Sequence, residues 1–150
     1  MSATPETSRK TTTRTVLAFD FGSQRIGVAV GQDLSATAEA LATIKVKHGR
    51  IDWPSIARLV EDWQPDCFVL GDPRTGRDVP HPLDAALTRF GRQLEGRFHR
   101  NVHWVDEYLS SDEARRRGGQ HHGKGLDAVA AELILETWFM QHQDDGETHE

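Results

Sequence analysis

The feature of the sequence that most constrains the fold is an aspartate inside an apolar segment. Asp20 lies in residues 16–22, a run that is typical of a buried strand. An ionised carboxylate buried in a strand is costly unless it is paired, hydrogen-bonded or bound to a metal. A second apolar segment, 26–31, follows a turn-forming stretch at 22–25, which predicts an antiparallel hairpin. We therefore expect the fold to open with a hairpin that holds Asp20 beside a compensating partner.

The length of 150 residues, with 37% hydrophobic residues, favours one domain with its own core. We place this domain at residues 15–142, between a disordered N-terminal tail at 1–14 and an acidic disordered tail at 143–150. No apolar run approaches the roughly 18 residues that a membrane span needs, and the N-terminus shows no apolar signal core. We expect a soluble, cytoplasmic protein without membrane contact.

Three further strands and three helices are predicted from hydrophobic spacing and from capping signals. The strands are expected within 37–46, at 67–70 and at 102–105. The helices are expected after Asp52, along the apolar stripe 83–98, and from Leu126 onward, with at most a short helix from Ser110. The later strands alternate with helices, as parallel pairing requires. We predict an α/β fold with a mixed five-stranded sheet, antiparallel in its first strands, and helices on its faces.

The single cysteine, Cys67, lies in the predicted strand at 67–70. One cysteine forms no disulfide within the chain and no cysteine cluster for zinc. We expect Cys67 to be buried and inert.

The tryptophans Trp63 and Trp138 fall on apolar helical faces and are also expected in the core.

Three acidic residues fall where they could share one site. Asp20 lies on the first strand, Glu107 follows the fifth, and Asp127 lies in the first turn of the last helix. Residues 127, 130, 131 and 134 share one helical face, so packing of the small Ala130 and Ala131 on the sheet would turn Asp127 inward. Carboxylates brought together repel unless a cation such as Mg²⁺ lies between them. Such a site predicts phosphodiester hydrolysis.

Each acid also has an ordinary structural explanation. Asp20 could cap the turn that follows it. Glu107 could be a solvated strand end, and Asp127 could interact with the positive end of the last helix. The residues alone leave the two interpretations open.

Three motifs, at 20–29, 105–114 and 124–131, resemble those of the RuvX (YqgF) family. The resemblance spans about residues 15–140 and implies a ribonuclease H-like fold similar to that of the Holliday junction resolvase RuvC. It further implies a nuclease that matures the 5′ end of pre-16S ribosomal RNA. By this resemblance Asp20, Glu107 and Asp127 are the catalytic, metal-binding acids, with Mg²⁺ or Mn²⁺ as the cofactor.

The chain departs from the family pattern in three places, one of which is the stretch from Ala114 to Lys124, shorter than the corresponding segment of relatives. Tyr108 follows Glu107 where relatives often carry an arginine, which removes a cation near the acids. Asp72 adds an acid to the loop that begins at Gly71. It could approach the site as a further ligand, but an aspartate that stabilises the turn before Pro73 is the favoured interpretation.

The expected nucleic-acid contacts lie on basic residues near the proposed acids. The net charge of −5 disfavours a protein that simply coats nucleic acid. Phosphate binding therefore depends on local clusters of basic residues. The densest basic segment contains Arg115, Arg116, Arg117 and Lys124, and is either a phosphate clamp or a solvated helix end. Arg25, leaving the hairpin turn near Asp20, could contact the scissile region or pair with a surface acid.

The predicted substrate is precursor ribosomal RNA, and ribosomal particles are candidate partners. Two alternatives remain open from the sequence. One is a resolvase-type DNase that acts on branched DNA, and the other is an RNA-binding module without hydrolysis.

Overall fold

The computed structural model of the protein describes residues 14–74, 78–106 and 125–148. It contains one mixed sheet and three helices in these ranges. The strands are β1 (Thr15–Phe21), β2 (Arg25–Gln32), β3 (Thr37–Lys47), β4 (Arg50–Ile51), β5 (Cys67–Asp72) and β6 (Asn101–Asp106). The helices are α1 (Trp53–Trp63), α2 (Asp84–Phe98) and α3 (Leu126–Thr148). The short helix predicted from Ser110 lies outside the described residues.

The sheet has the strand order β4-β3-β2-β1-β5-β6. Strands β1 and β2 form the predicted antiparallel hairpin, and Asp20 pairs with Gly27 across it. Strands β1, β5 and β6 run parallel, with α2 connecting β5 to β6. The mixed sheet with antiparallel first strands is therefore confirmed.

The predicted number of strands, five, is wrong by one. The additional strand is β4, two residues long, which pairs with the end of β3. His48 and Gly49 connect the two strands and both have positive φ, 52° and 76°, as a tight two-residue hairpin turn requires. A strand of two residues is too short to show alternation in the sequence, so no periodic signal marked it.

Alternate residues of β1 face two separate cores. Leu17 and Phe19 pack with residues of α1 and α2 on one face of the sheet. Val16 and Ala18 pack against α3 on the other face. Because successive strand side chains point to opposite faces, Asp20 continues the second series and lies on the α3 face.

Helix α1 begins and ends where the sequence predicts. The Asp52 side chain accepts hydrogen bonds from Ser55 N (3.2 Å) and Ser55 Oγ (2.7 Å), and Pro54 lies in the first turn. Gln64 then adopts a left-handed conformation directly before Pro65. These contacts satisfy backbone groups at the two helix ends, which explains the sharp boundaries.

The described residues include the inner ends of both predicted tails. Helix α3 continues to Thr148 and so includes residues 143–148 of the expected acidic tail. Polar residues can extend a helix because its backbone hydrogen bonds are made within the helix itself. Arg14, assigned to the N-terminal tail, donates from its backbone N (2.8 Å) and its Nε (2.7 Å) to Asp33.

None of the helices in the described ranges has the length and the apolar character that crossing a membrane requires.

Candidate active site

The structure brings two of the three predicted acids to the same side of the sheet. Asp20 is the penultimate residue of β1, and Asp127 lies in the first turn of α3. Both residues are partly buried. Glu107 and the basic residues Arg115, Arg116, Arg117 and Lys124 lie outside the described residues.

Gly27 sets the approach of α3 to the strand beside Asp20. It is the direct cross-strand neighbour of Asp20, so both residues present the same face of the sheet. A Cβ atom at position 27 would overlap the carbonyl oxygen of Asp127 and lie 2.8 Å from the backbone N of Ala128. The backbone of Asp127 therefore rests on Gly27, one strand away from Asp20. Only glycine permits this contact.

Sequence reasoning missed the role of Gly27. A glycine inside the apolar segment 26–31 was a usable signal, because a strand glycine often marks close approach of another backbone. The partner that approaches is 100 positions away in the sequence. Local patterns do not identify such a partner.

Arg25 pairs with Asp127 directly. Its Nε lies 2.8 Å from Asp127 Oδ2, and the two side chains are 58% and 34% exposed. The alternative in which Arg25 pairs with an acid is therefore the one observed, and that acid is one of the proposed metal ligands. Lys45 lies opposite Arg25 in the β2–β3 register, which adds a second cation to the same face of the sheet.

Asp72 stabilises its own turn. It accepts hydrogen bonds from the backbone N (3.0 Å) and the Nε (2.8 Å) of Arg74. Burial raises the pKa of the Asp72 carboxyl, but these hydrogen bonds and the Arg74 charge outweigh burial, and the net effect is a lowered pKa. The favoured interpretation of Asp72 as a turn residue is confirmed.

A family model described as "RuvX: Holliday junction resolvase" matches residues 14–141. The chain belongs to the RuvX family. A relative from Nitrosococcus oceani is 40% identical over 148 residues, covering 95% of this chain and 97% of the relative. One from Pectobacterium atrosepticum is 44% identical over 132 residues, covering 84% and 95%. Both carry the name "Putative pre-16S rRNA nuclease".

Solved structures confirm the expected fold of this RuvX protein. RuvC of T. thermophilus, solved with a Holliday junction substrate, superposes with a TM-score of 0.61 at 14% identity, covering 86% of this chain and 96% of RuvC. The fowlpox virus Holliday junction resolvase superposes with a TM-score of 0.51 at 16% identity, covering 86% and 99%. The α/β architecture predicted from the sequence is thus the RuvC-like, ribonuclease H-like fold.

The acids of the RuvX site suit a hard divalent cation. Asp20 and Asp127 offer carboxylate oxygens, the donor type that Mg²⁺ and Mn²⁺ prefer. Their partial exposure leaves room for water or phosphate to complete the coordination of an ion. Within the described ranges no three histidine, cysteine or acidic residues come together as a metal-binding group. A third ligand on this face would come from outside those ranges, where Glu107 lies.

Proposed function

We propose that this RuvX protein is a metal-dependent endonuclease that hydrolyses phosphodiester bonds during 5′-end maturation of pre-16S ribosomal RNA. The observation that carries the proposal is the contact of the Asp127 backbone with Gly27, the strand neighbour of Asp20. This contact supports a shared site for the two acids. The names of relatives at 40–44% identity support ribosomal RNA as the substrate.

The proposed catalytic and metal-binding residues are Asp20, Asp127 and Glu107. The first two fit Mg²⁺ or Mn²⁺ by donor type and exposure. Glu107 is included because it lies in the motif at 105–114 that resembles the family's. When bound, the ion supplies an activated water and stabilises charge that develops on the phosphate oxygens.

The residues of the chain itself position the acids and the substrate. Asp20 is held by a strand that is paired on both sides, to β2 and β5. Arg25 presents a guanidinium beside Asp127, where it can donate hydrogen bonds to a phosphate oxygen. Arg115, Arg116, Arg117 and Lys124 are proposed to hold the strand farther from the scissile bond through phosphate contacts.

The decisive experiment compares Asp20→Asn with the wild type on a pre-16S RNA fragment, with and without Mg²⁺. We expect Asp20→Asn to lose cleavage by at least about 100-fold, as when a group that stabilises transition-state charge is removed. Asp62→Asn, on an exposed position of α1, is the matched control and should cleave as the wild type does. Equal cleavage by Asp20→Asn and the wild type would refute the assignment.

Branched DNA is a second candidate substrate, favoured by the family description as a Holliday junction resolvase. A four-way junction assayed beside the RNA under the same conditions distinguishes the two. Faster cleavage of the junction would make the protein a resolvase-type DNase. Binding of RNA with no cleavage of either substrate would make it an RNA-binding module. From the RNA assignment we propose that the protein acts in the cytoplasm, with ribosomal particles as candidate partners.

A further inference from the structure

A cleft of about 560 Å³ lies beside the β1–β2 turn. Its apolar lining includes Phe21, Ile51 and Trp53. Phe21 and Trp53 pack against the core between the sheet and helices α1 and α2, so the cleft opens on the face opposite the α3 face. Its polar lining includes Arg50, Arg89 and Gln93.

The charge of this cleft is complementary to a phosphate. Arg50 and Arg89 line it, and none of the described residues that line it is acidic. Neither guanidinium has a hydrogen bond or ion pair with the residues that the structure describes. A planar guanidinium suits a phosphate because it can donate two parallel hydrogen bonds. In a chain of net charge −5, two such arginines around an apolar floor indicate an anionic ligand with an apolar part.

The hairpin of β3 and β4 holds Arg50 in place and extends the positive charge. The tight turn at His48 and Gly49 pairs Arg50 with Lys47. Arg50 also borders an adjoining cleft that Lys45, Lys47 and His48 line. Asp52, the one acid among the described residues of that second cleft, accepts hydrogen bonds from Ser55 at the start of α1. Lys45 and Lys47 alternate along β3 with Ile44 and Val46, which pack on the α1–α2 face. The positive charge therefore continues from the first cleft around the edge of the sheet towards the α3 face.

The cleft and the candidate active site are connected through the β1–β2 turn. Gly22 and Ser23 line the cleft, and they join the strand of Asp20 to that of Arg25. A polynucleotide crossing this turn would therefore pass from the acids on one face of the sheet to the arginines on the other.

We infer that the cleft binds a nucleotide of the single-stranded RNA that flanks the cut bond. Arg50 and Arg89 hold its phosphates, while the apolar floor and the Gln93 amide accommodate its base. Single-stranded nucleic acid is bound in general by such a combination of basic groove and apolar contact. This inference rests on the proposed function, since it assigns a second contact for the same substrate.

The test measures binding of a fluorescein-labelled single-stranded RNA by fluorescence anisotropy at several salt concentrations. All variants carry Asp20→Asn, so that the RNA stays intact. We expect Arg50→Ala and Arg89→Ala each to weaken binding several-fold and to reduce the slope of log K against log salt by about 0.7, the value for one phosphate contact on a single strand. Arg92→Ala, an exposed residue of α2 outside the cleft lining, is the control and should bind unchanged. Thermal unfolding verifies that each variant is folded.

The possible results separate the inference from the proposed function. If both cleft variants bind as Arg92→Ala does, the inference is overturned, whatever the wild type cleaves. If they lose affinity while the wild type cleaves no RNA, binding of single-stranded RNA in the cleft stands, and the proposed cleavage beside it fails. If a free mononucleotide displaces the labelled RNA as effectively as unlabelled RNA does, the cleft is a site for free nucleotides and the inference is overturned.

Discussion

Arg25 Nε donates a hydrogen bond to Asp127 Oδ2 over 2.8 Å, which joins the start of β2 to the first turn of α3. More than half of the Arg25 side chain is exposed, so the pair contributes little to the stability of the fold, about 0.2–1 kcal/mol. Its main consequence is electrostatic. A carboxylate proposed to bind a metal already has a cation beside it.

Arg25→Ala should strengthen binding of Mn²⁺ while barely changing the free energy of unfolding. Removing a positive charge next to Asp127 lowers the repulsion that an arriving cation meets. The gain should be at most about five-fold, since an exposed pair contributes no more than about 1 kcal/mol. Calorimetric titration with Mn²⁺ measures it, with Arg92→Ala as the control. Weaker Mn²⁺ binding by Arg25→Ala would show that Arg25 supports the metal site rather than competing with it.

Cys67 should resist thiol reagents in the folded protein. The residue is 5% exposed, and burial raises the pKa of its thiol to about 11. At pH 8 roughly a thousandth of the thiol is then ionised, and the thiolate is the reactive form. Reaction with a chromogenic disulfide should be slow in buffer and rapid in urea. Equal rates in the two conditions would contradict the buried, inert state.

Local signals made much of the fold predictable from the sequence. The apolar runs of β1 and β2 and the Asp52 cap of α1 depend on neighbours within a few residues, and they are found where predicted. The burial of individual side chains in the tertiary structure was harder to predict from the sequence. Trp138 is 2% exposed as expected, but Trp63, also on an apolar helical stripe, is 38% exposed at the last residue of its helix.

At the candidate site, too, local sequence signals predicted some features, but not contacts between residues distant in the chain. The residue types and the face of α3 that carries Asp127 followed from helical spacing. Its contact with Gly27 and its pairing with Arg25 join residues about 100 positions apart, and only the folded chain brings them together. Periodicity carries no information about such pairs.

The contribution of Asp72 to stability should depend on pH. Although burial raises the pKa of this carboxyl, its bonds to Arg74 lower it below the unfolded value of about 4. The ionised form is therefore favoured in the folded state, so the stabilisation is present above about pH 4 and is lost as the pH falls through the folded pKa. Urea unfolding at several pH values should show Asp72→Asn less stable than the wild type near pH 7, with the difference shrinking in acid. A difference that stays constant into acid would exclude ionisation as its cause.

Gly27→Ala should disturb both the fold and the site. The added Cβ meets the backbone of Asp127 and Ala128, and two backbones cannot separate without moving the first turn of α3. We expect a loss of about 1–3 kcal/mol in the free energy of unfolding, typical of overpacking, and a loss of cleavage as Asp127 shifts away from Asp20. Gly96→Ala is the matched control, because a Cβ there meets no atom within 4 Å and the helix interior favours alanine. Urea unfolding and RNA cleavage of both variants measure the effect. If Gly27→Ala matched Gly96→Ala in both, the packing of α3 on β2 would not be what holds Asp127 near Asp20.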